Sequence, residues 1–149
     1  MALAAHDAAD RVEQLIILTE RLTDLIAREA QAFESRRPQD AAAQVEETQR
    51  LANIYRHESA RVRAEPNLVF GAPPDQRQKL VRATEAFDAV LARHGRAVMA
   101  AKTVTEGLVR AIADEVASQR QQSAGYGPGA TTATNSAAAA TAITLNRTA

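Results

Sequence analysis

The sequence predicts an all-α protein: an antiparallel three-helix coiled-coil bundle with a long third helix and a disordered C-terminal tail. Apolar residues recur at spacings of three and four along three long segments, which is the helical period. Proline and glycine clusters separate these segments. Aromatic residues make up only 3% of the 149 residues, so the core must be built from Leu, Ile, Val and Ala. Such side chains suit a narrow interface between helices better than a thick globular core.

The first helix is predicted over residues 7–35. Asp7 is a suitable N-cap because its carboxylate can accept hydrogen bonds from the free amides of the first turn. One apolar face follows from the spacing. It comprises Val12, Leu15, Ile16, Leu18, Leu22, Leu25, Ile26 and Phe33.

A second helix is predicted over residues 38–64, after the break at Arg36-Arg37-Pro38, because proline fits the first turn of a helix but not its interior. Its apolar face is thinner. The face comprises Ala42, Val45, Leu51, Ala52, Ile54, Tyr55 and Val62. The short connection predicts that the first two helices are antiparallel neighbours.

Residues 66–74 form the second break and contain three consecutive apolar residues, Leu68, Val69 and Phe70. We expect these side chains to plug the end of the bundle rather than to face water. Asp75 then reads as the N-cap of a third helix over residues 75–122. Its apolar face comprises Leu80, Ala83, Phe87, Val90, Leu91, His94, Val98, Ala101, Val104, Leu108, Ile112 and Val116.

Two glycines, Gly95 and Gly107, interrupt the third helix, and each costs about 1 kcal/mol relative to alanine. Either a neighbouring helix approaches closely there or the helix bends at a hinge. The sequence favours neither interpretation. From residue 123 the composition changes to Ala, Thr, Gly and Ser with Arg147 as the single charge, which predicts a disordered tail over residues 123–149 beyond a bundle of residues 1–122.

Helix lengths predict an uncovered surface. At 1.5 Å per residue the three helices would be about 44, 40 and 72 Å long, so the third helix outruns the others near residue 104. An apolar face left in water marks an interaction surface. The candidate partner-binding residues there are Val104, Leu108, Val109, Ile112 and Val116. Self-dimerisation and fraying of the helix end are the alternatives.

Charge and composition exclude several classes. The 18 basic and 18 acidic residues cancel, and the one local run of arginines, Arg50 to Arg63, is offset by nearby glutamates, so we expect no nucleic-acid partner. There is no apolar stretch of about 18–20 residues to insert into a membrane and no basic, apolar leader. The chain has no Cys. These features predict a soluble cytoplasmic protein.

No arrangement of residues suggests catalysis. The three histidines, His6, His57 and His94, have no second ligand at helical spacing, so no metal site is expected. The glycines form no phosphate-binding loop, and no serine lies in a nucleophile turn. We therefore expect neither an enzyme nor a cofactor.

Several features of the chain are similar to those of FlgN-type flagellar export chaperones. One is the hairpin that begins with the leucine-rich turns Leu15-Ile16-Ile17-Leu18-Thr19-Glu20-Arg21-Leu22. Another is the longer third helix with small residues near its middle. The third is the tail, in which residues 123–129, Ser-Ala-Gly-Tyr-Gly-Pro-Gly, precede the terminal Ile143-Thr144-Leu145-Asn146-Arg147.

The resemblance implies a cytoplasmic chaperone of the flagellar type III secretion system. Such a protein binds the C-terminal helical region of hook–filament junction proteins of the FlgK and FlgL type, prevents their premature assembly and delivers them to the export apparatus. The implied binding residues combine the uncovered part of the third helix with the tail. They are Val98, Val104, Leu108, Val109, Ile112, Val116, Tyr126, Ile143 and Leu145. A structural coiled-coil adaptor or self-associating protein, such as a homodimer without an export role, is the alternative.

Overall fold

A computed structural model describes residues 3–125 of the chain. Its elements are α1 (Ala8–Glu34), a 3-10 helix (Pro38–Gln44), α2 (Val45–Ala64), α3 (Asn67–Phe70) and α4 (Pro74–Gly125). Every regular element of these residues is helical, which confirms the all-α class. The chain divides into two compact units, Met1–Val104 and Thr105–Ala149, which are treated separately below.

α1 is the most buried element of the first unit. Asp7 caps it as predicted, with its side chain accepting a 2.8 Å hydrogen bond from the amide of Asp10. Arg37 donates its amide to the carbonyl of Ala32 and Arg36 donates to Phe33, which is the Schellman pattern of a helix C-terminus. Arg36 has a φ of 58°, so this turn places an arginine in the left-handed conformation that glycine usually adopts.

The segment that follows differs from the predicted second helix in its first seven residues. Pro38–Gln44 is a 3-10 helix, and the α-helix begins only at Val45. Ala41 is buried, while Ala42 and Val45 are exposed, so the predicted core positions Ala42 and Val45 are wrong. The cause is the tighter 3-10 turn of three residues, which shifts the position that faces α1.

The break after α2 contains a short helix, α3. Leu68 and Val69 are half-buried there, in agreement with the expected plug, whereas Phe70 is exposed and the plug prediction is wrong for it. The Arg77 guanidinium lies 5.8 Å from the centroid of the Phe70 ring and covers one of its faces. The segment lies close to α1, because a Cβ built on Gly71 would stand 3.1 Å from the Cβ of Ala8.

α4 begins one residue earlier and ends three residues later than residues 75–122. Pro74 occupies the helix start, where its missing N–H costs nothing. Asp75 lies inside the first turn, so its assignment as N-cap is wrong, although its charge still favours the positive end of the helix.

Side-chain pairs define how α2 and the first part of α4 lie against α1. Arg21 pairs with Glu47 of α2, and Arg11 pairs with Glu58, so residue numbers fall along α2 as they rise along α1. Along α4 the numbers rise together with those of α1. Leu22 and Ile26 cluster with Phe87, and Glu34 pairs with Arg93 at 2.7 Å. That hydrogen bond from Arg93 lowers the pKa of Glu34.

Candidate partner-binding surface

Four large apolar side chains of α4 in the second unit face water and form what we call the exposed strip. They are Leu108, Val109, Ile112 and Val116, and Val104, the last residue of the first unit, is exposed as well. Their exposed fractions lie between 42% and 62%. Their predicted exposure is confirmed, and their binding to a partner stays a prediction.

Helical geometry places the strip on one side of α4. Leu108, Ile112 and Val116 follow each other at intervals of four residues, and side chains at this interval are neighbours on a helix surface. A strip of this kind presents anchors to an amphipathic helix.

The remaining predicted binding residues do not belong to the strip. Val98 is half-buried in the first unit, so it is less accessible than the strip. Tyr126, Ile143 and Leu145 lie outside the described residues, as does the predicted tail from residue 126 onward.

Neither glycine of α4 makes a close helix contact among the described residues. A Cβ built on Gly95 or on Gly107 would meet nothing within 4 Å. Close approach of a neighbouring helix is therefore the wrong interpretation of these glycines in the described part of the chain. The helix continues through both positions.

Charges around the strip are balanced. Residues 102–125 contain three basic residues, Lys102, Arg110 and Arg120, and three acidic residues, Glu106, Asp114 and Glu115. The side-chain amide of Gln119 donates a 3.0 Å hydrogen bond to Glu115. Apolar contact, rather than net charge, is therefore what this segment offers a partner.

A buried ion pair in the first unit is the polar feature that the sequence pattern did not predict. Glu58 of α2 is 1% exposed and accepts a 2.7 Å hydrogen bond from Nη1 of Arg11. Its other carboxylate oxygen accepts a 2.9 Å hydrogen bond from the backbone amide of Leu3. One signal could have placed Arg11, which precedes Leu18, Leu25 and Ala32 at intervals of seven residues, a period that repeats one helix face.

The histidines do not converge. His94 lies beside Glu29 of α1, with 3.1 Å between Nε2 and a carboxylate oxygen but without hydrogen-bond geometry. The ring of Phe33 meets the His94 ring edge-on, with centroids 6.1 Å apart. Sequence spacing missed this pair because its members lie on different helices. The described residues contain no group of three His, Cys, Asp or Glu side chains suited to a metal ion.

Two of the concave regions among residues 3–125 have lining residues that do not bring a nucleophile together with a base. A cavity of about 270 Å³ lies among α1, α2 and α4 and is lined by Tyr55, Ser59 and Thr84. Burial, and next the Asp88 carboxylate, raise the pKa of Tyr55, and hydrogen bonding to Ser59 and Thr84 opposes this shift. A groove of about 380 Å³ runs between α1 and α4 past Asp24 and Lys79.

Comparison with known proteins identifies a full-length relative. The chain is 65% identical over 148 residues to the flagellar basal-body protein FlbY of Caulobacter vibrioides, and the match covers 99% of each chain. No family model matches the sequence. No solved structure matches it either. No helix in residues 3–125 combines the length and apolarity that a membrane span requires.

Proposed function

Because the chain belongs to the FlbY family of flagellar basal-body proteins, we propose that it acts in flagellar assembly as a cytoplasmic export chaperone. Its clients are hook–filament junction proteins of the FlgK and FlgL type, which it holds by their C-terminal helical region and delivers to the export apparatus. The exposed strip is the observation that carries this proposal, and the resemblance to FlgN-type chaperones supports the class of client.

The proposed mechanism involves binding only and no catalytic step. An amphipathic client helix lays its apolar face on the exposed strip and contacts it through anchors at helical spacing. Full burial of a large aliphatic side chain contributes about 1.5–3 kcal/mol, so four partly exposed ones supply several kcal/mol before association costs. We also propose that the first unit is an antiparallel three-helix coiled-coil bundle.

The test is client binding by a variant of the strip. Leu108→Asp combined with Ile112→Asp places two charges where the client helix would lie. We expect calorimetric titration with purified FlgK-type and FlgL-type proteins to show binding to the wild-type chain and none to this variant. Thermal unfolding should stay almost unchanged, because both residues are exposed.

A matched control uses the same helix. Val81 and Met99 are exposed to a similar degree as the strip residues but lie outside the strip, so Val81→Asp combined with Met99→Asp makes the same chemical change. The control variant should bind the client normally. Normal binding by the Leu108→Asp, Ile112→Asp variant would remove the strip from the proposal.

A separate variant that lacks residues 123–149 tests the tail. An unchanged client affinity in this variant would mean that the tail acts only as a spacer.

The alternative function is a structural coiled-coil adaptor that self-associates through the strip. The description of the Caulobacter relative as a basal-body protein favours a structural role. Light scattering of the full chain separates the two. A monomer that forms a heterodimer with a junction protein supports the chaperone, whereas a homodimer that Leu108→Asp and Ile112→Asp dissociate supports the adaptor.

A further inference from the structure

The outer face of α2 carries four arginines that the structure leaves exposed: Arg50, Arg56, Arg61 and Arg63. Within residues 3–125 no ion pair engages any of the four. The opposite face of α2 packs inward, where Leu51, Ala52 and Tyr55 lie against the core cluster. Arg50, Arg56 and Arg61 therefore point away from the core, whereas Arg63, although exposed, borders the cavity beside Tyr55 and Ser59.

The acids that balance these arginines in the sequence do not balance them in the fold. Glu58 is buried against Arg11, and Glu47 accepts hydrogen bonds of 2.9 and 3.0 Å from Arg21. The two remaining acids, Glu46 in the first turn and Glu65 at the C-cap, lie four residues from Arg50 and Arg61 and offset part of their charge. The outer face therefore carries four arginines against two glutamates, although residues 45–65 contain four of each.

The arginines form two rows. At 100° per residue, Arg50 and Arg61 lie on one edge of the outer face together with His57. Arg56 and Arg63 lie on the other edge, seven residues apart. Between the two rows lie Glu46 and Gln49 at the start of α2 and, from residue 53 onward, the smaller exposed residues Asn53, Ala60 and Ala64. We call this arrangement the basic face.

We propose that the basic face of α2 binds an acidic α-helical segment of a partner protein. Arginine presents a planar fork that matches carboxylate geometry, and the small residues between the rows let a second helix approach closely. A fitting helix carries Glu or Asp along both edges of a seam of small residues. This surface belongs to the first unit and does not depend on the exposed strip or on the proposed function.

Two other anionic partners fit the basic face less well. The face has no aromatic side chain on which nucleic-acid bases could stack, and the net formal charge of the whole chain is zero. It also has no large apolar side chain to insert below the headgroups of an anionic membrane.

The experiment titrates the full-length chain with a synthetic helical peptide whose glutamates flank an alanine seam. Fluorescence anisotropy at low salt reports binding of the labelled peptide. We expect saturable binding that weakens with salt, and a loss of at least about tenfold in affinity when the four arginines are changed to alanine. A peptide of the same composition in scrambled order should bind at least about tenfold more weakly, because its glutamates do not form two rows.

The control variant removes the same charge elsewhere. Arg82, Arg96, Arg110 and Arg120 are exposed and lie on α4, so their joint change to alanine should leave peptide affinity unchanged. Circular dichroism checks that both variants remain folded. The Leu108→Asp, Ile112→Asp variant should also bind the peptide normally, which separates this surface from the exposed strip.

Three results would overturn the proposal. The first is an unchanged affinity when the arginines of the basic face are replaced. The second is equal binding of the scrambled peptide. The third is tighter binding of a single-stranded oligonucleotide, or of phosphatidylglycerol vesicles, than of the acidic peptide under the same salt conditions.

Discussion

At the scale of single residues, the buried carboxylate of Glu58 connects three parts of the first unit. It connects α2 to α1 through Arg11 and to the chain start through Leu3. A pattern of apolar and polar residues assigns a glutamate in the middle of α2 to the surface, because charged residues are rarely fully buried. Only the position of Arg11 across the interface makes its burial possible, and that position is a property of the folded chain.

Changing Glu58→Gln should lower the free energy of unfolding by about 3–5 kcal/mol, because it leaves the buried Arg11 cation without its partner. Urea denaturation measures this loss. Arg21→Gln is the matched control, since it disrupts an exposed pair with Glu47 and should cost no more than about 1 kcal/mol. Equal costs for the two changes would contradict the role of burial.

Tyr55 should lose its proton at a higher pH than a free tyrosine. Burial and the Asp88 carboxylate raise its pKa above the ordinary value of 10.0. Because the pKa of Tyr55 is higher in the folded than in the unfolded chain, the protonated phenol contributes to stability below pH 10. This contribution is lost as the pH rises through the pKa of the folded state. The sequence contains two tyrosines, so Tyr126→Phe leaves Tyr55 as the single phenol, and its absorbance at 295 nm follows the titration.

Asp88→Asn supplies the comparison for Tyr55, because it removes the charge and keeps the shape. The pKa of Tyr55 should fall part of the way in this variant, since burial is the larger cause. A pKa at or below 10 in the Tyr126→Phe chain would contradict the burial of the ring in solution.

At the scale of elements, the sequence predicted the long helices well and their connections less well. The period of α1 placed Val12, Leu15, Leu22 and Leu25 in the core, and all four are buried. The α-helical period failed in the segment after α1. The 3-10 helix there buries Ala41 instead of the predicted positions Ala42 and Val45. Proline correctly marked each break, but neither the short helix α3 nor the left-handed Arg36 follows from a proline signal.

Gly107→Ala should stabilise α4 locally. The new methyl group meets no atom within 4 Å, and alanine is preferred over glycine in a helix by about 1 kcal/mol. Amide hydrogen exchange around residue 107 should therefore slow by up to about fivefold. Unchanged or faster exchange would show that the glycine has a role that an added methyl group disturbs.

Gly71→Ala provides the contrast at a crowded position. Its methyl group would stand 3.1 Å from the Cβ of Ala8, so the start of α1 has to shift to admit it. We expect this variant to lower the midpoint of thermal unfolding, although alanine removes entropy from the unfolded chain in both cases. A rise in the midpoint would mean that α3 relaxes away from α1 without cost.

At the scale of the whole molecule, the sequence predicted where burial ends but misjudged the charge. The apolar face of α4 is exposed from Val104 onward, as the helix lengths predicted, but Leu91 of the same face is already exposed, so its predicted place in the core is wrong. The strip itself was therefore available from the sequence. The basic face of α2 was not, because a charge count treats Glu47 and Glu58 as neighbours of the arginines, whereas the fold turns both toward α1.

A chain shortened to residues 1–104 should keep the stability of the first unit. Every described residue after Ala101 is exposed, so the truncation removes no buried side chain from that unit. We expect the urea midpoint to shift by the equivalent of less than about 1 kcal/mol. A larger loss would mean that residues beyond 104 stabilise the first unit in solution.

The ion pair between Arg11 and Glu58 also has a consequence for alignment. Apolar side chains recur at each turn along α1, so apolar contact alone discriminates weakly between alignments of the two helices that differ by one turn. A slide of α2 along α1 would bury each of these two charges without its counterpart. We infer that this pair fixes the register of α2 against α1, because it favours one alignment among several that the apolar contacts would allow.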